Sequence, residues 1–180
     1  MSYEAGNLQV WASNPLPDPR RELNIAQFNE NYVKVKSASL NDSDGFRLRA
    51  ACVCVRSPAE EEVLLVSRRR VPGWIIPGGK IEPEELSNHS LSAIREAREE
   101  AGVIGTLGRC LGTFENIDRG HRTTVYVLYV QELEEDWAES GRSREWFSLN
   151  EAHAVLLESR PIQSKYLSSL VLTRPSSQST

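Results

Sequence analysis

Residues 77–103 read P-G-G-K-I-E-P-E-E-L-S-N-H-S-L-S-A-I-R-E-A-R-E-E-A-G-V. Two glycines open the stretch, helix formers fill its middle, and Gly102 closes it. On a helix, Glu96, Glu99 and Glu100 stand at i, i+3 and i+4, so the three carboxylates share one face. Like charges at that spacing repel, and an isolated helix gains nothing from them. A cation over the face removes the conflict, and a hard divalent ion suits oxygen ligands. Mg²⁺ takes few carboxylates, keeps waters and shares its other positions with phosphate oxygens. The plain alternative is a solvated acidic face, which is what most charge runs are. Three neighbours argue for a site instead. Gly102 suits a left-handed cap after Ala101. Leu91, Ile94, Ala97 and Ala101 form an apolar stripe that commits the opposite face to a core. Gly78 and Gly79 let the backbone approach a ligand closely. A glycine turn feeding a helix with such carboxylates is a layout for handling diphosphates.

Upstream, the Asp42-Ser43-Asp44-Gly45 turn cluster marks the start of the domain. Residues 46–55 read as a strand whose later part, from Ala50, is apolar and central. Arg47 and Arg49 share one face of it. Residues 62–66 are a second strand, followed directly by Arg68, Arg69 and Arg70. These arginines are a solvated loop or, from their place before the glycine turn, part of a site. Downstream, 107–114 and 123–130 read as strands, and 145–147 as a short one. Arg119, His121 and Arg122 fall in the loop before 123, where a histidine flanked by arginines suits an anion. Residues 141–144 make another basic loop. Asn150 is the expected N-cap of a helix through Leu157, and Pro161 suits the first turn of a last helix. The whole is an α/β chain with a mixed sheet flanked by helices.

The central stretch resembles the Nudix box, G-x5-E-x7-R-E-u-x-E-E-x-G-u, in which u is bulky and apolar. Gly79, Glu85, Arg95, Glu96, Glu99, Glu100, Gly102 and Val103 fall on its fixed positions, with Ala97 in an apolar slot. Nine residues separate Glu85 from Arg95, where the family has seven, and the extra pair lengthens the polar loop around Ser87, Asn88 and His89. The resemblance implies a Nudix α/β/α sandwich. It extends to the diphosphoinositol polyphosphate phosphohydrolases through Asp44-Gly45-Phe46, Gly105-Thr106-Leu107-Gly108-Arg109, Phe114-Glu115-Asn116, Glu135-Asp136-Trp137 and Arg144-Glu145-Trp146-Phe147. Lys80 stands where that subfamily has a third glycine, and the loop before Gly141 is shorter.

That likeness implies Mg²⁺-dependent hydrolysis of a diphosphate linkage, with Mn²⁺ as a substitute. Glu96, Glu99 and Glu100 would hold the ion, with the Gly79 carbonyl as a further ligand. Glu100 or Glu99 would accept the proton of the attacking water, and Arg95 would orient carboxylates. Arg47, Arg49, Arg70, Arg119, His121, Arg142 and Arg160 fall where the family places phosphate-binding cations, beside the Gly78-Gly79-Lys80 turn. Expected substrates are diphosphoinositol polyphosphates and, after them, dinucleoside polyphosphates. An RNA cap is the competing partner, and a non-catalytic Nudix module the rival from another class. That module would have lost a box glutamate, and this chain keeps Glu96, Glu99 and Glu100.

Composition narrows the rest. A chain of 180 residues suits one domain, here 43–172, with an N-terminal extension over 1–42 and a tail over 173–180. Trp11, Phe28 and Tyr32 suggest partial docking of the extension, and Val33 and Val35 an edge strand. No run reaches the apolar length of a membrane span, and the N-terminus lacks a signal-peptide layout. The net charge of −4 argues against broad binding to nucleic acid. Arg outnumbers Lys 17 to 4, a bias that suits bidentate phosphate contacts. Cys52, Cys54 and Cys110 match neither a zinc nor a disulfide spacing, and buried free thiols fit a reducing compartment. A monomer in the cytoplasm, with the nucleus as a second place, is the expectation.

Overall fold

The computed structural model describes residues 40–174. The expectations for Trp11, Phe28, Tyr32, Val33 and Val35 lie outside them. Strand β1, Arg47–Val55, runs through the middle of the sheet, and from Ala50 onward each residue is buried. Ala51, Val53 and Val55 enter one core, while Ala50, Cys52 and Cys54 enter another. The period of two along a strand makes this split, and a strand covered on both faces reads as an unbroken apolar run.

The remaining elements are β2 (Glu62–Ser67), β3 (Trp74–Ile75), β4 (Gly78–Lys80), α1 (His89–Ala101), β5 (Val103–Asn116), β6 (His121–Leu133), β7 (Arg144–Ser148), α2 (Leu149–Ser159) and α3 (Pro161–Leu172). Seven strands form one sheet in the order β3-β2-β1-β6-β5, with β4 on β1 and β7 on β2. β1 is parallel to β6 and antiparallel to β2 and β4, so the sheet is mixed. Ala93, Ala97 and Ala101 seat α1 on one face. Ala152, Leu156, Tyr166, Leu167 and Leu170 seat α2 and α3 on the other. The result is the expected α/β/α sandwich.

One irregularity positions the site. β1 pairs with β2 at Cys54 and Val55, but with β4 at Arg49, Ala50 and Ala51. β1 and β2 thus part company, and the segment from Trp74 to Lys80 fills the opening. Leu64 of β2 has β1 on one side and β7 on the other, while Val66 pairs with β3 and β7. The glycine stretch, expected as a turn, is therefore an extended strand, β4, set into the sheet, because its backbone pairs with Arg49, Ala50 and Ala51 of β1.

Local details differ from expectation for physical reasons. Leu91 is only half-buried, and Ala93 takes its place in the core, in register with Ala97 and Ala101 at four-residue spacing. α2 begins two residues earlier than expected, because Ser148 and Glu151 close a reciprocal capping box that Asn150 cannot offer. The strands around 107–114 and 123–130 are longer than expected, so His121 and Arg122 open β6 instead of lying in a loop. Cys52 and Cys54 are buried as expected, but Cys110 is exposed on β5.

Candidate active site

Asn88 starts α1 by accepting a hydrogen bond from the Ser90 N–H, and Gly102 ends it at φ 61°. The last carbonyls of a helix need partners from outside it. The chain after β6 supplies them. Glu139 N–H donates to the Glu99 carbonyl, Trp137 Nε1 to that of Glu100, Arg144 Nη1 to that of Ala101, and Glu134 N–H to that of Gly102. The Arg144 guanidinium also lies 4.0 Å above the Trp137 ring. The end of α1 that carries the glutamates is thus fixed from below.

The carboxylates then meet the glycine turn. Gly78 N–H donates to Glu100 Oε2 at 2.9 Å. A Cβ on Gly79 would fall 2.1 Å from the Glu96 carboxylate, so only glycine admits this approach. Two arginines hold the carboxylates. Arg95 gives Nε and Nη2 to Glu85 at 2.8 and 3.0 Å, Nη1 to Glu96 at 2.9 Å and to Glu99 at 3.4 Å, and Nη2 to the Lys80 carbonyl at 2.9 Å. Arg142 places Nη1 2.8 Å from Glu100 and 3.1 Å from Glu139, and gives Nε to the Ser67 carbonyl at 2.8 Å. Burial pushes the Glu96 carboxyl up, and Glu100 and Glu99 push it the same way against Arg95. Burial also lifts the Glu85 carboxyl, but hydrogen bonds from Arg95 and Ser92 outweigh it and hold the group below its ordinary value.

On the other side of the turn stands a rim of cations. Arg47 pairs with His121 across β1 and β6, and Arg49 with Thr123. Arg49 Nη2 donates to the Gly78 carbonyl at 2.8 Å. Burial, and then Arg49, Arg47 and Arg119, push the His121 imidazole down to about 4. Arg160, at the α2–α3 junction, is lowered by burial, then by Arg119 and Arg68. Four chain segments, carrying Arg47 and Arg49, Arg68, Arg119, and Arg160, thus bring positive charge to one edge, where an anion would relieve it.

Residues 46–170 match the NUDIX domain. The chain belongs to the NUDIX family. The chain is 55% identical to human diphosphoinositol polyphosphate phosphohydrolase 2 over 135 residues, covering 73% of this chain and 74% of that one. Human diphosphoinositol polyphosphate phosphohydrolase 3-beta is also 55% identical, over 136 residues, at 73% and 82% coverage. Among solved structures, a NUDIX hydrolase from Nitrosomonas europaea aligns with TM-score 0.58 and 20% identity, covering 71% of this chain and 89% of that one. The C. elegans Ap4A hydrolase, solved as a binary complex, gives 0.56 and 20%, at 69% and 96% coverage. At such identities the structural likeness speaks to the fold alone.

In the NUDIX frame, the two extra residues leave Glu85 in reach of its box partner: it meets Arg95 ten positions on, and Ser92 as well. The extra residues join the turn that Asn88 closes. Members of the family use a divalent metal. Among the described residues, no three metal-type side chains already stand as a coordinating cluster. The donors nonetheless fit such an ion. Glu96, Glu99 and Glu100 are hard oxygen ligands on one face, Glu96 lies against the Gly79 backbone, and arginines now balance their charge.

The other residues singled out from sequence fall in three places. Arg47, Arg49, Arg119, His121 and Arg160 line the rim. Lys80 is exposed on β4, and Arg70 is exposed in the bend after β2. Arg142, expected in an open basic loop, is instead buried against Glu100 and Glu139, because Glu139 and the Ser67 carbonyl draw it inward. Its Nη2 is the one buried side-chain nitrogen or oxygen among the described residues without a hydrogen-bond partner. The sequence left one further site residue open and gave no sign of another. Arg68 joins the rim beside Arg160 and Arg119, and only its place in the arginine triplet hinted at this. Glu139 carries no signal at all, as it is one acid among several after β6.

Proposed function

We propose that this protein hydrolyses the diphosphate linkages of diphosphoinositol polyphosphates, releasing phosphate, with Mg²⁺ as its ion and Mn²⁺ as a substitute. One observation carries the reading: the backbone of the short strand β4 joins the carboxylates to the cations. Gly78 donates to Glu100 through its N–H and accepts from Arg49 through its carbonyl. A substrate spanning β4 would set its reacting diphosphate at the glutamates and its other phosphates on the rim. The 55% identity to enzymes named for this activity supports the same substrate class.

A divalent ion bound here would neutralise diphosphate charge and make a water more acidic. Glu96, Glu99, Glu100 and the Gly79 carbonyl would hold it, and Glu99 or Glu100 would accept the water's proton. Arg95 keeps Glu96 and Glu99 in place. Arg47, Arg49, Arg119, His121 and Arg160 would grip the non-reacting phosphates, which orients the bond to be cleaved. Lys80 and Arg70 would add phosphate contacts, and Arg142 would add one through its unpartnered Nη2 once the substrate uncovers that buried group. Trp74, the aromatic nearest the glycine turn in sequence, packs edge-on against Phe147 at 5.2 Å and 67°. Its ring is committed to the core, which favours an inositol polyphosphate over a dinucleoside polyphosphate or an RNA cap. Residues 43–172 would be the hydrolase domain, between an extension over 1–42 and a tail over 173–180.

No helix among the described residues is long and apolar enough to cross a membrane. We expect a monomer that works in the cytoplasm and the nucleus, where buried thiols such as Cys52 and Cys54 stay reduced. The test is a substrate panel run with the full chain. Chelator should abolish phosphate release from a diphosphoinositol polyphosphate, and Mg²⁺ should restore it. Full activity in chelator would remove the ion from the scheme. Release of nucleotide products alone would move the substrate to the nucleotide class.

A further inference from the structure

Arg142 is held on two sides by carboxylates of different standing. One is Glu100, a box glutamate, and the other is Glu139, which no motif contains. Their oxygens lie 2.8 and 3.1 Å from the same Nη1. Glu139 is itself fixed. Its N–H donates to the Glu99 carbonyl at 3.0 Å, and its carboxylate takes Arg69 Nε at 2.9 Å as well as Arg69 Nη2. Arg142 is fixed further by the Ser67 carbonyl at 2.8 Å through Nε. The side chains of Arg142 and Glu139 are only 5% and 11% exposed, so water competes little for these charges. A chain of alternating charge therefore runs inward from the surface: Arg69, Glu139, Arg142, Glu100.

The order matters for Glu100. In the structure Arg142 neutralises it, as a divalent ion would. An ion that takes Glu100 competes with Arg142 for its negative charge, and Arg142 needs another counter-charge as that pair loosens. Glu139 supplies the counter-charge without moving, since backbone and Arg69 both anchor it.

We infer that Glu139 is a positioning residue for the divalent-ion site: by sharing Arg142 it keeps Glu100 available to the ion. The inference rests on the proposed function, because it takes Glu100 to be an ion ligand. With Glu139 neutralised, Glu100 becomes the sole carboxylate on Arg142, and the ion must break a tighter pair. Outer partners of metal ligands commonly change ion affinity by about 10–100-fold. The lower end applies here, as Glu139 acts through one intermediate side chain.

The experiment is isothermal titration calorimetry of Mn²⁺ into the metal-free full chain, with thermal melts to verify folding. Glu139→Gln should raise the Mn²⁺ Kd by about tenfold. Glu139→Asp, which keeps the charge, should stay nearer the wild type. Glu135→Gln removes an equal charge from the same loop without touching Arg142, and should leave the Kd within about twofold. Arg142→Met removes the competitor and should lower the Kd. In that background Glu139→Gln should have no further effect, because coupling through Arg142 is gone. The double variant separates positioning from simple through-space charge, which would persist. An unchanged Kd in Glu139→Gln, an equal change in Glu135→Gln, or a full effect in the Arg142→Met background each overturns the inference alone. If Glu139→Gln fails to fold, an Arg142→Met Kd no tighter than wild type overturns it. A wild-type chain that binds no Mn²⁺ overturns the proposed function, and the inference with it.

Discussion

His121 is crowded by cations of its own chain, and that crowding has a pH consequence. Burial, then Arg49, Arg47 and Arg119, set its imidazole at about 4 against an ordinary 6.5. The unfolded chain thus binds a proton on this side chain across an interval in which the folded chain does not. Its contribution to stability therefore falls as pH drops through that interval. A polyphosphate on the rim acts in the opposite sense: its negative charge favours the imidazolium, so binding takes up a proton. Imidazole NMR titration of the free chain should give a midpoint near 4, and saturating inositol hexakisphosphate should raise it by at least about one unit, the span typical of a close charge. A free-chain midpoint at the ordinary value would mean that the arginines do not converge on His121. At this scale the sequence was legible where chemistry is local. His121 lies between Arg119 and Arg122, which flagged an anion site. Arg142 sits among similar basic neighbours, yet its surroundings come from Glu100 and Ser67, 42 and 75 positions away in the chain. Its one near partner, Glu139, stands three positions before it, but as one acid among several it gave no sign that Arg142 turns inward.

Strand β4 and α1 behave as one element with two kinds of glycine. A Cβ on Gly78 would meet the Ala51 Cβ at 2.5 Å and the Ala50 carbonyl oxygen at 2.7 Å, which are strand atoms that cannot yield. The three atoms nearest a Cβ on Gly79 all belong to the Glu96 carboxylate, the far end of a flexible side chain. The two substitutions should therefore separate stability from function. Gly78→Ala should cost about 1–3 kcal/mol, the usual range for overpacking, and lower the melting temperature by several degrees. Gly79→Ala should melt within about two degrees of the wild type but lose turnover, since Glu96 is pushed from its place. A Gly79→Ala chain with normal turnover would show that Glu96 need not stand against this backbone. The helix itself was legible from its caps and carboxylate spacing, because both are short-range patterns. Its buried stripe holds at Ile94, Ala97 and Ala101 and differs only at its first position. Leu91 looks the more apolar residue, but Ala93 has the spacing from Ala97 and Ala101 and is small enough for α1 to lie close on the sheet. The Ser148–Glu151 capping box could have been found, since its four-residue signature is written in the sequence.

At the scale of the whole molecule, β1 has one end at the proposed site and the other at a structural clasp. Arg47 to Ala51 meet the rim and the glycine turn, whereas Val55 leads to a loop that carries Glu60. This residue is 1% exposed and has φ 53°, rare for a residue with a side chain. Its carboxylate accepts from Arg109, Tyr129 and Arg174, and its carbonyl takes Arg174 Nη2 at 2.8 Å. Arg109 also gives Nη2 to the Leu170 carbonyl at 2.9 Å, which ties the end of α3 to the sheet. These partners lie 49, 69 and 114 positions from Glu60, so no local pattern could reveal them. The sandwich was legible because its strands and box are local; the clasp that closes it is not. Burial lifts the Glu60 carboxyl, but hydrogen bonds from Arg109 and Tyr129 and the Arg109 charge hold it below its ordinary value. A carboxyl held low stabilises the fold above its unfolded-state pKa, and this contribution is lost as pH falls through the lower folded-state value. Glu60→Gln keeps the shape and removes the charge that two arginines share. Stranding buried partners of this kind costs about 2–3 kcal/mol, with the solvated sides of Arg109 and Arg174 keeping it below a fully buried pair. The melting temperature at neutral pH should fall by roughly 5–10 °C. Turnover below the transition should stay at the wild-type level, since the clasp and the glutamates sit at opposite ends of β1. The gap between the two melting temperatures should shrink in acid, where the wild-type carboxyl also loses its charge. A gap that is the same at acid and neutral pH would mean that the Glu60 charge contributes nothing and that packing alone holds α3 in place.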